Sequence, residues 1–139
     1  MDRNSVLEFV RSHPVSHMAT VEAGKPRVRA MQTAVVDERG LTFCTGSHKD
    51  VCRQLLAKPA VELSYWSRED GRLVRVRGEM EHLEDQELKA HIVEKVFPFL
   101  KPVVEAHGHE AIALFRLSHG ETRVWSSATG HQPPEVHTF

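Results

Sequence analysis

The stretch Gly40-Leu-Thr-Phe-Cys-Thr-Gly-Ser-His-Lys-Asp-Val-Cys-Arg-Gln-Leu-Leu-Ala-Lys58 changes its hydrophobic period half-way along. Leu41 to Cys44 is a short apolar strand that stops at Thr45-Gly46-Ser47. Beyond that turn Val51, Leu55 and Leu56 recur on one face of a helix, with Arg53, Gln54 and Lys58 on the other. The first turn of such a helix leaves its amide N–H groups unpaired at the positive end of the helix dipole. Two hydroxyls, a glycine that lets backbone come close, and the Lys49 ammonium stand at that same place, which suits a phosphate. Alone, the pattern is equally served by Ser47 as an N-cap and Lys49 as a solvated surface residue, so the neighbouring segments decide.

Composition limits the alternatives. A chain of 139 residues predicts one domain, residues 1–139, around one core. Hydrophobic residues at 40% and charged residues at 27% fit a folded domain rather than a disordered or fibrous one. Lys and Arg number 18 against 19 Asp and Glu, and a net charge of −1 offers no general attraction to nucleic acid or to an anionic membrane. Any anionic ligand must be held locally. No apolar run approaches the roughly 20 residues of a membrane span, and the N-terminus lacks the apolar stretch of a signal peptide, so a cytoplasmic protein is expected. Cys44 and Cys52 fall on different predicted elements and read as buried free thiols. His107-Gly-His109 lacks further ligands at a metal-site spacing, and no metal is expected.

Outward from the opening stretch, the chain reads as a meander with helices added. Asn4 to Glu8 has the spacing of a capping box and starts a short helix that ends near His13-Pro14. Ser16–Glu22 and Arg27–Val36 are expected as strands, the second with Arg27, Arg29, Met31, Thr33 and Val35 on one face. After the helix come strands over Ala60–Ser67 and Arg72–Leu83, with Val74, Val76 and Gly78 opposite Arg75 and Arg77. A helix over Asp85–Phe97 is broken or re-aimed by Pro98 and Pro102, and a second short helix ends at Gly108. Ala111–Leu117 and Thr122–Ser126 form a last hairpin, and the tail from Ala128 is expected to be mobile unless a partner subunit holds it. The fold class is mainly β with inserted α-helices: a small barrel of six to seven antiparallel strands with three to four outer helices.

The order of the motifs carries more than any one of them. Gly24-Lys25-Pro26-Arg27-Val28-Arg29, then Gly40 to Thr45 with Lys49 opening a helix, then Lys58-Pro59-Ala60-Val61-Glu62-Leu63, then Arg75-Val76-Arg77-Gly78-Glu79, resembles the pyridoxamine 5′-phosphate oxidase-like family. That resemblance implies the split β-barrel fold that binds flavin mononucleotide (FMN), in a homodimer with the flavin at the subunit interface. It implies a flavin ring against the strand that holds Arg29, Ala30, Met31 and Gln32, with Arg29 near the pyrimidine edge. It puts the phosphate on Thr45, Ser47, His48 and Lys49, and Trp125 beside the flavin bound mainly by the other subunit. Two departures count against the vitamin B6 oxidase proper. Leu73 stands where that enzyme has a flavin-contacting glutamine, and the arginine that helps to form its substrate site is missing after Trp125. The resemblance therefore points to a short, general flavin-binding member.

Four functions follow for comparison. The first is an FMN-dependent oxidoreductase that passes hydride or electrons to or from a small molecule. The second is a flavin-binding module for storage or sensing without turnover. The third, a haem-binding split barrel, has ten histidines to draw on but none in a distinguishing context. The fourth, nucleic-acid binding through Arg72, Arg75 and Arg77, meets a slightly negative net charge. No side chain stands out as a general acid or base, which does not argue against an enzyme whose cofactor carries the chemistry.

Overall fold

A computed structural model describes residues 1–139. Helix α1 (Arg3–Ser12) leads into β1 (Val15–Glu22), β2 (Lys25–Gln32), β3 (Val35–Asp37) and β4 (Gly40–Gly46). Helix α2 (Asp50–Ala57) is followed by β5 (Ala60–Ser67), β6 (Arg72–Glu79) and β7 (Glu81–Leu83). Next come α3 (Gln86–His91), which runs into a π-turn over Ile92–Val96, and α4 (Lys101–His107). The chain ends with β8 (Ile112–Leu117), β9 (Glu121–Ser126) and β10 (Glu135–Thr138). No helix is long and apolar enough to cross a membrane.

The ten strands form two antiparallel sheets, one in the order β10-β9-β6-β5-β1-β2 and one in the order β3-β4-β8-β7. Each expected long strand changes sheet in its middle. At Thr33 the amide turns to Pro14 O (2.8 Å) and the buried hydroxyl meets Tyr65 OH (2.7 Å), which ends β2 and lets Ala34 pair with Thr42 O. At Met80, 5% exposed, the amide turns to Pro59 O (2.8 Å) and separates β6 from β7. These two crossings join the sheets into a split barrel. The alternation of side chains gives no sign of them, because a strand keeps its two-residue period when it changes partners.

Inside the barrel Leu41, Phe43, Leu63, Tyr65, Val74, Val76 and Phe115 pack with Val6 and Val10 of α1. A smaller cluster of Leu88, Ile92, Phe97 and Leu114 lies under α3 and its π-turn, with Cys44 against it. Along β6, Val74 and Val76 are buried while Arg75 and Arg77 face outward, where Arg75 pairs with Glu62 (3.3 Å) and Arg77 and Arg123 share Glu121 (2.8 Å each).

Three expectations change. The cap of α1 is Asp2, whose carboxylate accepts from Ser5 N (2.9 Å), not a box built on Ser5 and Glu8. The cap of α2 is Lys49, with no side-chain bond, since Ser47 Oγ is given to Glu110 O (2.6 Å). The tail is held by its own chain: β10 pairs with β9, and Phe139, 3% exposed, exchanges backbone bonds with Gly120 (2.8 and 3.1 Å) beneath the Arg3 guanidinium. The expectation of a mobile tail failed because Gly130, Pro133 and Pro134 punctuate a turn that precedes a strand.

Candidate functional site

A cleft of about 200 Å³ opens where β4 ends. One wall is the edge strand β2, through Ala30, Met31 and Gln32. Its floor is Cys44, Thr45 and Gly46 with Lys49 beyond them. The opposite wall is the turn between α3 and α4, through Phe97, Phe99 and Leu100. Lys49 is the one charged side chain among these residues, and no carboxylate or histidine is among them.

At the floor the polypeptide makes a cradle. Ser47 N bonds Ala111 O (2.9 Å) and Lys49 N bonds Gly46 O (3.1 Å), which fixes the turn, while the amides of His48, Asp50 and Val51 have no acceptor within the chain. These are the donors an anion at a helix start would take. The His48 ring folds over Gly46, and a Cβ there would lie 2.8 Å from its Cε1 and 3.5 Å from Lys49 Cγ. Thr45 is buried, whereas Ser47, His48 and Lys49 are exposed. The negative charge of Asp50 is balanced by Arg53 (2.8 Å), whose hydrogen bond holds that carboxyl below the usual carboxylate range. Arg53 also reaches Glu22 (2.7 Å) and ties α2 to β1.

Arg29 does not line the cleft. It faces the α2 side of β2 and donates to Met18 O (3.2 Å), Thr20 Oγ1 (2.8 Å) and Gln54 Oε1 (2.5 Å), so its guanidinium anchors α2 through Gln54. Trp125 lies on β9, four strands from β2 in the same sheet, roughly 19 Å along it at the usual strand spacing. There its ring is tilted against Trp66, with centroids 6.3 Å apart. The strand registers pair Gln32 with Val15, Trp66 with Leu73, and Leu73 with Trp125. Extending the β1–β5 register one residue past Ser16 and Tyr65 sets Val15 beside Trp66, so the five form one row across the outer face of the sheet. No helix packs on this row, and Val15 and Trp66 are 54% and 49% exposed.

The opposite wall was not anticipated from the sequence. Phe97, Phe99 and Leu100 line the cleft although none was singled out, and Cys44, read only as a buried free thiol, lines its floor. The available signal was Phe97-Pro98-Phe99, two aromatics held on either side of a helix-breaking proline. Burial pushes the Cys44 thiol up to about 11, against the opposing charge of Lys89, so it is a neutral wall and not a nucleophile.

The model of the pyridoxamine 5′-phosphate oxidase family matches residues 3–125. The chain belongs to this family. A curated pyridoxine/pyridoxamine 5′-phosphate oxidase of Pseudomonas paraeruginosa is 37% identical over 75 residues, 53% of this chain and 35% of that protein. The match thus spans about a third of the length of that relative. Among solved structures, a NimC/NimA family protein of Clostridium acetobutylicum is 25% identical with a TM-score of 0.80, over 98% of this chain and 92% of that one. Two more distant members of the fold differ in what they are named for. One is a pyridoxamine 5′-phosphate oxidase-related, FMN binding protein of Nostoc punctiforme (12% identical, TM-score 0.66, 99% and 95% covered). The other is a heme binding protein of Mycobacterium smegmatis (18% identical, TM-score 0.68, 99% and 60% covered). Family and fold alone therefore do not choose the ligand.

Proposed function

We propose that the chain binds FMN in this cleft, as one half of a homodimer, and acts as an oxidoreductase that passes hydride or electrons to or from a small molecule. The observation that carries this reading is the joining of two unlike halves in one cleft: a cradle of free amides, a glycine and an ammonium, and an apolar inner wall of Ala30, Met31, Phe97 and Leu100, with Phe99 outside it at the rim. A phosphate suits the first and a flat ring the second. FMN, when bound, supplies the redox chemistry. The chain's own residues bind and orient it. Lys49 and the amides of His48, Asp50 and Val51 hold the phosphate, with Thr45, Ser47 and His48 shaping the turn around it. Arg29 positions α2 from behind, and Ala30, Met31 and Gln32 bear on the ring. Phe97 and Leu100 exclude water from the far side.

Two observations support the dimer. The cleft is smaller than the ~300–1,000 Å³ usual for a complete ligand site, so a second copy has room to finish it. The row from Gln32 to Trp125, apolar from Val15 onward and half-exposed at Val15 and Trp66, also offers a face for a second copy. A two-fold axis along the middle strand β5, lying between two such faces, sets the partner subunit's Trp125 against Gln32 and therefore at the cleft. No histidine lines the cleft to serve haem as a proximal ligand.

The purified protein should carry the visible bands of a flavin. Lys49→Ala should weaken FMN by about 1.5–3 kcal/mol, on the order of 10- to 150-fold in Kd, with little change in unfolding of the flavin-free protein. Equal affinity in wild type and variant would move the phosphate elsewhere. Oxidation of reduced nicotinamide by the loaded protein would separate an oxidoreductase from a storage module.

A further inference from the structure

We infer that the outer wall of the cleft, Phe99 backed by Phe97, receives a flat, uncharged aromatic or quinoid molecule as the small-molecule partner of the site, an inference that rests on the FMN reading above. Phe99 is 72% exposed, the most exposed of the large apolar side chains, yet it is not loose. Its ring leans on Phe97, centroids 5.5 Å apart and planes at 39°, and Phe97 is itself 8% exposed and fixed in the cluster under α3. The backbone beneath is stiff. Phe97 N closes the π-turn onto Ile92 O (2.7 Å), Pro98 opens a 3₁₀ turn over residues 98–100, and Pro102 lies in the first turn of α4. A single exposed aromatic is ordinary on a protein surface. One supported by a second aromatic, on a rigid turn, at the rim of a cleft is a preformed stacking surface.

The charge of the cleft sets the class of molecule. Lys49 is its one charged side chain, and in the FMN reading it is committed to the phosphate. The Lys89 ammonium, whose charge acts on Cys44, does not line the cleft: it is buried and donates to His109 O (3.1 Å), so no charged side chain lines the Phe99 end, where Leu100 and Phe97 are apolar. A charged molecule would have to shed water there without a counter-ion, whereas a neutral planar one loses only its contact with water. The wall therefore selects for flatness and against charge. Phosphate esters such as those in the names of the curated relatives are disfavoured by the same count of cations.

The test uses the FMN-loaded dimer and two probes, 1,4-naphthoquinone and its 2-sulfonate, titrated against the visible flavin bands. The neutral quinone should bind at least tenfold more tightly than the sulfonate. Phe99→Ala should erase about tenfold of that affinity, Phe99→Trp should keep it, and FMN affinity should stay within about twofold in both variants. Equal binding of the two quinones, or an unchanged neutral-quinone affinity in Phe99→Ala, would overturn the inference. Loss of FMN itself in Phe99→Ala would make this ring part of the cofactor's seat and would overturn it too. A wild-type protein that carries no flavin is visible before any quinone is added, and that result would defeat the FMN reading first.

Discussion

Gly46 has the His48 ring folded over it, so a methyl group at its Cα would meet that ring at 2.8 Å and Lys49 Cγ at 3.5 Å. The close neighbour is the exposed His48 ring, which can swing aside, whereas 3.5 Å from Lys49 Cγ is ordinary contact, so Gly46→Ala is inexpensive for folding. It is costly for the cradle, because the added methyl and the displaced His48 ring crowd the turn that carries the free amides at residues 48, 50 and 51. The expected result is a separation of two measurements. Unfolding of the flavin-free protein should shift by less than about 1 kcal/mol, while FMN affinity should fall several-fold or more. Unchanged affinity would mean that the turn does not touch the ligand. Arg29 shows the complementary case. It was expected at the flavin ring, and its three hydrogen bonds place it behind the strand, where it holds Gln54 of α2.

At the scale of elements, the C-terminal strand shows what local patterns miss. The four residues of β10 are mostly exposed, and what fastens them is the single side chain that follows, Phe139, sealed under Arg3 with its ring 4.4 Å from the guanidinium carbon. Phe139→Ala should therefore cost about 3 kcal/mol, read as a lower urea midpoint with little change in slope. A loss under 0.5 kcal/mol would show that the strand hangs by its backbone bonds alone. The remaining elements differ in how far the sequence revealed them. The strand, turn and helix from Gly40 to Lys58 were legible because their period changes at the turn, and so were Ala30, Met31, Gln32, Thr45 and Lys49 as residues that converge on one cleft. The sheet crossings at Thr33 and Met80 were not, since they alter hydrogen-bond partners and not the alternation of side chains. Phe97, Phe99 and Leu100 were hidden for another reason. Phe97 reads as the last residue of one helix and Phe99 and Leu100 as the first of the next, and only the packing of Leu88, Ile92 and Phe97 against Leu114 and Cys44 brings that junction to the cleft.

For the whole molecule, the question is whether one chain makes a site or shares two. Trp125 lies on β9 and Lys49 caps α2, apart in one chain, and the proposed two-fold axis at the middle of the row from Gln32 to Trp125 would bring them together between two chains. Mixing of variants tests this directly. Lys49→Ala and Trp125→Ala should each lose FMN affinity as homodimers, and neither change should unfold the chain, since Lys49 is exposed and Trp125 is half-buried on the outer face. In a mixed dimer the first chain supplies an intact Trp125 and the second an intact Lys49, so one of the two shared sites is whole while the other carries both defects. Random exchange at equal amounts should therefore restore tight FMN binding in about a quarter of all sites. If each site lay within one chain, every site in the mixture would still carry one defect and no tight binding would return. Fluorescence follows the same logic, provided that Trp125 is isolated by Trp66→Phe, because the two indoles lie 6.3 Å apart and report together. Quenching of Trp125 by FMN in dimers of the 15.8 kDa chain, lost in Lys49→Ala and recovered in the mixture, would put the tryptophan of one subunit at the flavin of the other. Emission unchanged at saturating FMN would instead leave Trp125 as packing for Trp66 and Gly130 within its own chain.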